Sequence, residues 1–196
     1  MCAIAGFWGN RGKADLGKML HVLNHRGPDD SGTHIDGDVF LGNNRLAIID
    51  LSSKGHQPMF NEDKSICIVY NGEIYNFKDI RKVLEKKYKF KSNSDTEVIL
   101  RGYQEWGTQV LQKLNGMFAF VIYDKKKNLL FGARDRLGEK PFKYYWDGSF
   151  FAFASEIKGL LPIIPSSPEP DISALEEYLI LLYVPAPKTG FKNIFK

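Results

Sequence analysis

Four apolar and aromatic segments decide the fold: MFAFVIYD at 117–124, NLLFGARD at 128–135, FKYYWD at 142–147 and SFFAFAS at 149–155. Turn-forming residues separate them, which predicts four strands in a meander. Their aromatic side chains alternate as the two faces of a strand do, so they indicate core. The basic run KKK at 125–127 fits a solvated hairpin tip.

The remaining elements come in blocks of strands and blocks of helices. Asp15 is a candidate N-cap, and Ser94 with Glu97 matches the capping-box pattern. Because strands and helices do not alternate along the chain, their order favours an α+β fold with largely antiparallel sheets. Strands are predicted at 2–9, 38–42, 45–51 and 65–76, a loop at 25–32, and helices at 15–24, 77–88, from Ser94 onward and at 171–183.

The composition is that of an ordinary globular protein. The chain has 196 residues, of which 43% are hydrophobic and 26% charged, with a formal net charge of +4. These values exclude disorder, a coiled coil and a collagen-like repeat. The basic residues are scattered, so we expect no nucleic-acid partner. No apolar run reaches the ~20 residues that span a bilayer, and the N-terminus lacks a signal-peptide pattern. We therefore expect a cytoplasmic protein with no membrane partner.

The two cysteines, Cys2 and Cys67, are too few for a disulfide framework or a four-cysteine zinc site. Cys67 lies in an apolar strand and is expected to be inert core. Cys2 follows Met1 directly, and removal of Met1 would place an α-amine and a thiol on one residue. Such an amine, with a pKa of about 7.7–8.0, can accept the thiol proton and activate the sulfur as a nucleophile. The alternative is a cysteine at position 2 by accident.

Other polar residues each have two interpretations. Asn71-Gly72 could supply hydrogen-bond donors to an oxyanion, or it could simply form the turn that ends strand 65–76. Arg45 suits bidentate carboxylate binding. Asp95, in the first turn of a predicted helix, could compensate the helix dipole or bind an ammonium group. Glu73 could be a solvated edge residue.

The histidines do not predict a metal site. His21, His25, His34 and His56 lack metal-ligand spacing, and the i, i+4 pair His21 and His25 has no third ligand. We therefore expect no metal in this chain.

Seven motifs in order resemble the class II glutamine amidotransferase domains, in the version found at the N-terminus of glutamine-hydrolysing asparagine synthetases. The HRGPD form and the segment at 134–145 separate this branch from the amidotransferases that make glucosamine phosphate or phosphoribosylamine. The motifs are MCAIAGFWG at 1–9, HRGPDDSG at 25–32, RLAIIDL at 45–51, NGEIYN at 71–76, SDTEVIL at 94–100, GMFAFVIYD at 116–124 and RDRLGEKPFKYY at 134–145.

The resemblance implies a four-layer αββα N-terminal nucleophile hydrolase fold with two stacked antiparallel sheets. It implies that L-glutamine is hydrolysed through a thioester on Cys2, with Asn71 and Gly72 as oxyanion donors. Arg45 matches the group that binds the glutamine carboxylate. The remaining matches are Asp95 and Glu73 around the glutamine ammonium, backbone contacts from Leu46, Ile48 and Ile49, and a loop at 25–32 that helps to order the site.

The resemblance also implies a longer protein. We expect a glutaminase domain over 1–161, and over 162–196 a proline-rich linker with the start of a synthetase domain that uses ATP and magnesium to amidate aspartate to asparagine. That domain's SGG-x-D-S motif is absent from the chain. A homodimer is compatible with the resemblance. The alternatives are a non-catalytic glutamine-binding or docking module, a non-aspartate acceptor, and a different N-terminal nucleophile amidase.

Overall fold

The structure is a computed structural model that describes residues 1–9, 15–164 and 167–196. Its strands are β1 (Ala3–Trp8), β2 (Asp30–Asp36), β3 (Val39–Arg45), β4 (Met59–Phe60), β5 (Ile66–Ile74), β6 (Gly116–Asp124), β7 (Leu129–Arg134), β8 (Lys143–Trp146), β9 (Phe151–Ala154) and β10 (Ile194–Phe195). Its helices are α1 (Leu16–Val22), α2 (Phe77–Leu84), α3 (Asp95–Trp106), α4 (Ile157–Leu160) and α5 (Ile172–Leu181), and 3₁₀ turns cover Asn24–Arg26, Ser53–Gly55 and Gly107–Gln112.

The strands form two antiparallel sheets. One has six strands in the order β10-β8-β9-β1-β3-β2, and the other has four in the order β4-β5-β6-β7. Strand β1 lies inside the larger sheet and pairs with β3 on one side and β9 on the other. The predicted α+β class is confirmed. The four strands predicted between 117 and 155 also form, but the predicted single meander is wrong: β6 and β7 pair in the smaller sheet, whereas β8 and β9 pair in the larger one.

Alternation along β6 explains how the sheets stack. Phe118, Phe120 and Ile122 pack into a core shared with residues of α2 and α3. Their neighbours Ala119 and Val121 face the other way, into a core shared with β1, β3 and β9. A third core lies between the larger sheet and helices α1 and α4. The layers therefore run helix, sheet, sheet, helix, as the resemblance implied.

Two predicted helix caps form, but the capping box does not. The Asp15 carboxylate accepts a hydrogen bond from the Lys18 N–H (3.1 Å), and the Ser94 hydroxyl accepts one from the Thr96 N–H (3.2 Å). The Glu97 carboxylate does not accept the Ser94 N–H, as it would in a capping box. It accepts the N–H groups of Lys91 and Ser92 instead, because the chain before α3 passes beside it.

Three predicted boundaries are wrong. Strand β2 begins at Asp30, inside the segment 25–32 predicted to be a loop, because Asp30 pairs with Arg45. The strand predicted at 45–51 contributes only Arg45 to β3. The helix predicted at 77–88 ends at Leu84, where the N–H groups of Lys87 and Tyr88 both donate to the Leu84 carbonyl and close a turn.

The last thirty residues add a short strand and a helix. The proline-rich segment 162–170 is described except at 165–166, which lie outside the described residues, and the domain boundary at 161 stays a prediction. Beyond it, β10 pairs with β8 at the edge of the larger sheet. Helix α5 buries only Ala174. Within the described ranges, no helix has the length and apolar character needed to cross a membrane.

Gly6 in β1 is packed too closely against β3 and β9 to accommodate a side chain. A Cβ there would lie 2.4 Å from the Phe40 carbonyl oxygen and 2.7 Å from the Phe153 ring. We predict that Gly6→Ala lowers the free energy of unfolding by about 1–3 kcal/mol, since an overpacked core must shift. Gly190→Ala is the control, because its Cβ would meet nothing within 4 Å. Urea unfolding measures both, and equal stabilities would contradict the close approach.

Candidate active site

One partly open cavity lies where the N-terminus of β1 meets the ends of the two sheets. It collects all nine residues singled out from the sequence, which come from four separate segments of the chain. The lining residues are Met1, Cys2, Arg45, Leu46, Ile48, Ile49, Asp50, Gln57, Tyr70, Asn71, Gly72, Glu73, Ser94, Asp95, Thr96, Met117 and Lys140.

The Cys2 thiol is half-buried and lies against the backbone of Leu46. The Leu46 N–H donates to Sγ at 3.3 Å, and Sγ lies 3.6 Å from the Leu46 carbonyl oxygen. Burial raises the pKa of the Cys2 thiol, while the Leu46 N–H, the chain's terminal ammonium and Arg45 oppose that rise. The sulfur is therefore held in place and accessible from the cavity.

The Cys2 backbone is held by Arg26, which sequence reasoning did not single out. Arg26 Nε donates to the Cys2 carbonyl oxygen at 3.1 Å. Two residues further on, the Ile4 N–H donates to the buried Ser155 hydroxyl at 2.9 Å. Arg26 lies in the HRGPDDSG segment, which the resemblance connected with ordering of the site.

Arg45 presents a buried guanidinium without an ion pair among the described residues. It ends β3, and its Nη1 and Nη2 donate to the carbonyl oxygens of Ser52 and Asp50. A side chain at Gly55 would collide with this guanidinium, since a Cβ there would lie 2.1 Å from Nη2. The cation thus faces the cavity with backbone carbonyls, not carboxylates, as its partners.

The same contacts explain why 46–51 is a loop and not a strand. The Arg45 side chain draws the carbonyl groups of Asp50 and Ser52 back towards the end of β3. The Asp50 carboxylate then accepts the Ser52 hydroxyl and the Asn93 N–H, and the Ser52 bond lowers the pKa of Asp50. Leu46, Ile48 and Ile49 consequently line the cavity on a curled segment.

Asn71 and Gly72 lie inside a strand and do not form the predicted turn. Strand β5 continues to Ile74 because Gly72 pairs with Phe118 and the ladder runs on to Gly116. A Cβ at Gly72 would lie 2.3 Å from the Met117 carbonyl oxygen, so only glycine allows this approach. The Asn71 side chain is buried, and its Nδ2 has no hydrogen-bond partner among the described residues.

Asp95 and Glu73 place two carboxylates on the cavity wall. Asp95 begins α3, and its Oδ2 accepts the Tyr70 hydroxyl (2.7 Å) and the Ile74 N–H (2.9 Å). Burial raises the pKa of Asp95, although these hydrogen bonds oppose the rise. Glu73 is exposed at the rim. Asp95 therefore both accepts hydrogen bonds from β5 and lines the cavity.

Lys140 is a second cation in the cavity that the sequence analysis overlooked. Its side chain is buried, and Nζ lies 3.6 Å from Met1 Sδ. The only feature of the sequence that points to Lys140 is its place in the RDRLGEKPFKYY motif at 134–145. In the described part of the chain, no group of three or more His, Cys, Asp or Glu side chains is arranged to hold a metal ion.

Comparisons with known proteins identify the family of the chain. The family model of the glutamine amidotransferase domain matches residues 1–196. A Methanocaldococcus jannaschii protein, provisionally named asparagine synthetase [glutamine-hydrolyzing] 2, is 45% identical over 100% of this chain and 42% of its own length. Asparagine synthetase [glutamine-hydrolyzing] 3 of Bacillus subtilis is 43% identical over 99% of this chain and 33% of its own length. The chain thus spans less than half the length of these relatives.

The solved structures support the fold. Glutamine phosphoribosylpyrophosphate amidotransferase from B. subtilis superposes with a TM-score of 0.70 at 21% identity, covering 81% of this chain and 43% of that one. At this identity the likeness shows the fold alone. From the match of the family model over residues 1–196, the chain belongs to the glutamine amidotransferase domain family.

Proposed function

We propose that this domain hydrolyses the side-chain amide of L-glutamine to glutamate and ammonia, with Cys2 as the nucleophile. One observation carries the proposal: the same cavity is lined by a held thiol, by an amide side chain whose nitrogen has no partner in the described chain, and by a guanidinium with no ion pair among the described residues. These are Cys2 Sγ, Asn71 Nδ2 and Arg45. Acyl transfer to sulfur requires a nucleophile and an oxyanion donor, and an amino-acid substrate brings a carboxylate.

The nucleophile needs a base, and the α-amine of Cys2 itself supplies one. While Met1 is attached, the Cys2 nitrogen belongs to a peptide bond and cannot accept a proton. Once Met1 is removed, the neutral amine takes the thiol proton and the sulfur attacks the glutamine side-chain carbonyl. The C–S bond forms, and Asn71 Nδ2 and Gly72 donate hydrogen bonds to the oxyanion.

The amine then returns the proton to the departing nitrogen, so the C–N bond breaks and ammonia leaves. A water molecule attacks the remaining thioester, releasing glutamate and restoring the thiol. Glutamine is bound through its carboxylate by Arg45 and through its ammonium by Asp95 and Glu73. Backbone groups of Leu46, Ile48 and Ile49 complete the binding site.

The ammonia is used by a further, ATP-dependent part of the protein. Support comes from the relatives named asparagine synthetase, which are more than twice as long as this chain. In this proposal the added part binds ATP and magnesium and amidates aspartate to asparagine, and the protein works in the cytoplasm, with a homodimer as its assembly. Residues 1–161 form the glutaminase domain, and 162–196 lead into the synthetase.

Cys2→Ala is expected to abolish glutaminase activity, because no other accessible thiol lines the described part of the cavity. The assay is ammonia release from glutamine, with thermal unfolding as evidence of an intact fold. Cys67→Ala is the matched control and should retain activity within about twofold, since Cys67 is buried between the sheets. Ammonia release by Cys2→Ala protein at the wild-type rate would refute the proposal. Glutamine binding without any release by the wild-type protein would identify a non-catalytic module.

Alkylation distinguishes the two thiols. Burial raises the pKa of Cys67 to about 12, so very few of these thiols are ionised near neutral pH. We predict that iodoacetamide modifies Cys2 first, and that glutamine slows this reaction, as followed by peptide mass spectrometry. Labelling of Cys67 before Cys2 would be inconsistent with the structure.

Arg45→Ala is expected to raise the KM for glutamine by about 10- to 150-fold. That range corresponds to losing a charge-assisted interaction of about 1.5–3 kcal/mol with the carboxylate. Arg45→Lys keeps the charge without the bidentate geometry, so its KM should lie between those of the wild type and Arg45→Ala. Steady-state kinetics over a wide glutamine range measures the effect, and an unchanged KM in Arg45→Ala would exclude the assigned role.

A further inference from the structure

The end of β9 is joined to the start of β1, two residues from the nucleophile. The Ser155 N–H donates to the Ile4 carbonyl oxygen, and the Ile4 N–H donates to the Ser155 hydroxyl, both at 2.9 Å. Ser155 is fully buried. The residue that follows Ser155 is therefore fixed close to the N-terminus of the chain.

That residue, Glu156, is linked to the nucleophile through a single side chain. The Glu156 carboxylate accepts Arg26 Nη1 at 2.8 Å, and Arg26 Nε donates to the Cys2 carbonyl oxygen at 3.1 Å. The Arg26 side chain is only 9% exposed. Its third nitrogen, Nη2, is buried and has no partner among the described residues. Within the described chain the guanidinium is thus oriented by two acceptors, the Cys2 carbonyl and Glu156.

Two further side chains, the His25 ring and the Lys158 ammonium group, reach the same carboxylate from the solvent side. His25 Nε2 lies 3.3 Å from Oε1, and Lys158 Nζ lies 3.2 Å from Oε2. Although burial opposes it, the hydrogen bonds from Arg26, Lys158 and His25 lower the pKa of Glu156. Glu156 is therefore a carboxylate near neutral pH, and Arg26 is its most buried partner.

The carbonyl contact matters because of where the nucleophile lies. Terminal residues fray unless they are held, and Cys2 is the first residue once Met1 is removed. Its α-amine and its thiol are then both carried by one Cα atom, so rotation of that residue moves base and nucleophile together. A displacement of about 1 Å in a catalytic group can cost about 100-fold in rate.

We infer that Glu156 is a positioning residue for the glutaminase reaction: it fixes the Arg26 guanidinium on the Cys2 carbonyl and thereby orients the amine and thiol of the nucleophile. The inference rests on the proposed function and extends it to a residue outside the cavity. Glu156 is not among the residues that line the cavity, so its effect passes through Arg26.

The first test replaces the carboxylate. Glu156→Ala should lower kcat about 10- to 100-fold with little change in the KM for glutamine, since Arg45 and Asp95 are untouched. Alkylation of Cys2 by iodoacetamide should slow in the same variant. Glu156→Gln, which keeps one acceptor oxygen, should lie between it and the wild type and serves if Glu156→Ala does not fold. Lys158→Ala, which removes a solvent-side cation from the same carboxylate, is the control and should retain kcat within about twofold.

The second test asks whether Glu156 acts through Arg26. If it does, Glu156→Gln combined with Arg26→Gln should be no slower than Arg26→Gln alone, because residues in one network are not additive. The inference would be overturned if the losses of kcat in Glu156→Gln and Arg26→Gln multiplied in the double variant. It would also be overturned if Glu156→Gln and Glu156→Ala had the kcat of the wild type. Absence of ammonia release from the wild-type protein would instead refute the proposed function, so the two failures are distinguishable.

Discussion

Under the proposed mechanism one constraint governs the rest of the structure: Cys2, at the end of the chain once Met1 is removed, must be as immobile as a residue in the core. Strand β1 meets this constraint by lying inside the six-stranded sheet, with β3 and β9 on either side. The backbone of β1 is thereby fixed from Ala3 onward, and Cys2 lies one residue before it. What remains is to hold one residue, which the Leu46 N–H and Arg26 do.

The cavity contains one cation whose hydrogen-bond acceptors are neutral and one buried donor without a partner among the described residues. Arg45 faces carbonyl oxygens instead of carboxylates, and Asn71 Nδ2 has no partner in the described chain. Leaving a buried donor unpaired costs about 1–3 kcal/mol, so such groups reduce the stability of the fold. The same groups are already oriented for a ligand and need no reorganisation when it binds. Their position on strands, and not on flexible segments, keeps that orientation fixed.

Elements set by local patterns were predictable from the sequence. The alternation of Phe118 to Tyr123 specified a strand with two buried faces, and Asp15 and Ser94 specified helix starts. Elements set by distant partners were not. Residues 46–51 alternate like a strand, yet the Arg45 guanidinium draws them into a loop. Asn71-Gly72 is a strong turn signal, yet pairing with β6 keeps it extended.

For the site, the ordered motifs indicated which residues belong together, and the structure shows them in one cavity. Arg26 and Lys140 were missed because neither has a local pattern of its own.

The presence of Met1 beside the cavity has a practical consequence. Under the proposed mechanism, translation supplies the sulfur but not the base, so each molecule becomes active only after one residue has been cleaved from it. The specific activity of any preparation is then limited by the fraction of chains that have been trimmed, however pure and well folded the protein is. An affinity tag fused ahead of Met1 would yield a folded protein without glutaminase activity, whereas a tag placed elsewhere would leave the removal of Met1 unaffected.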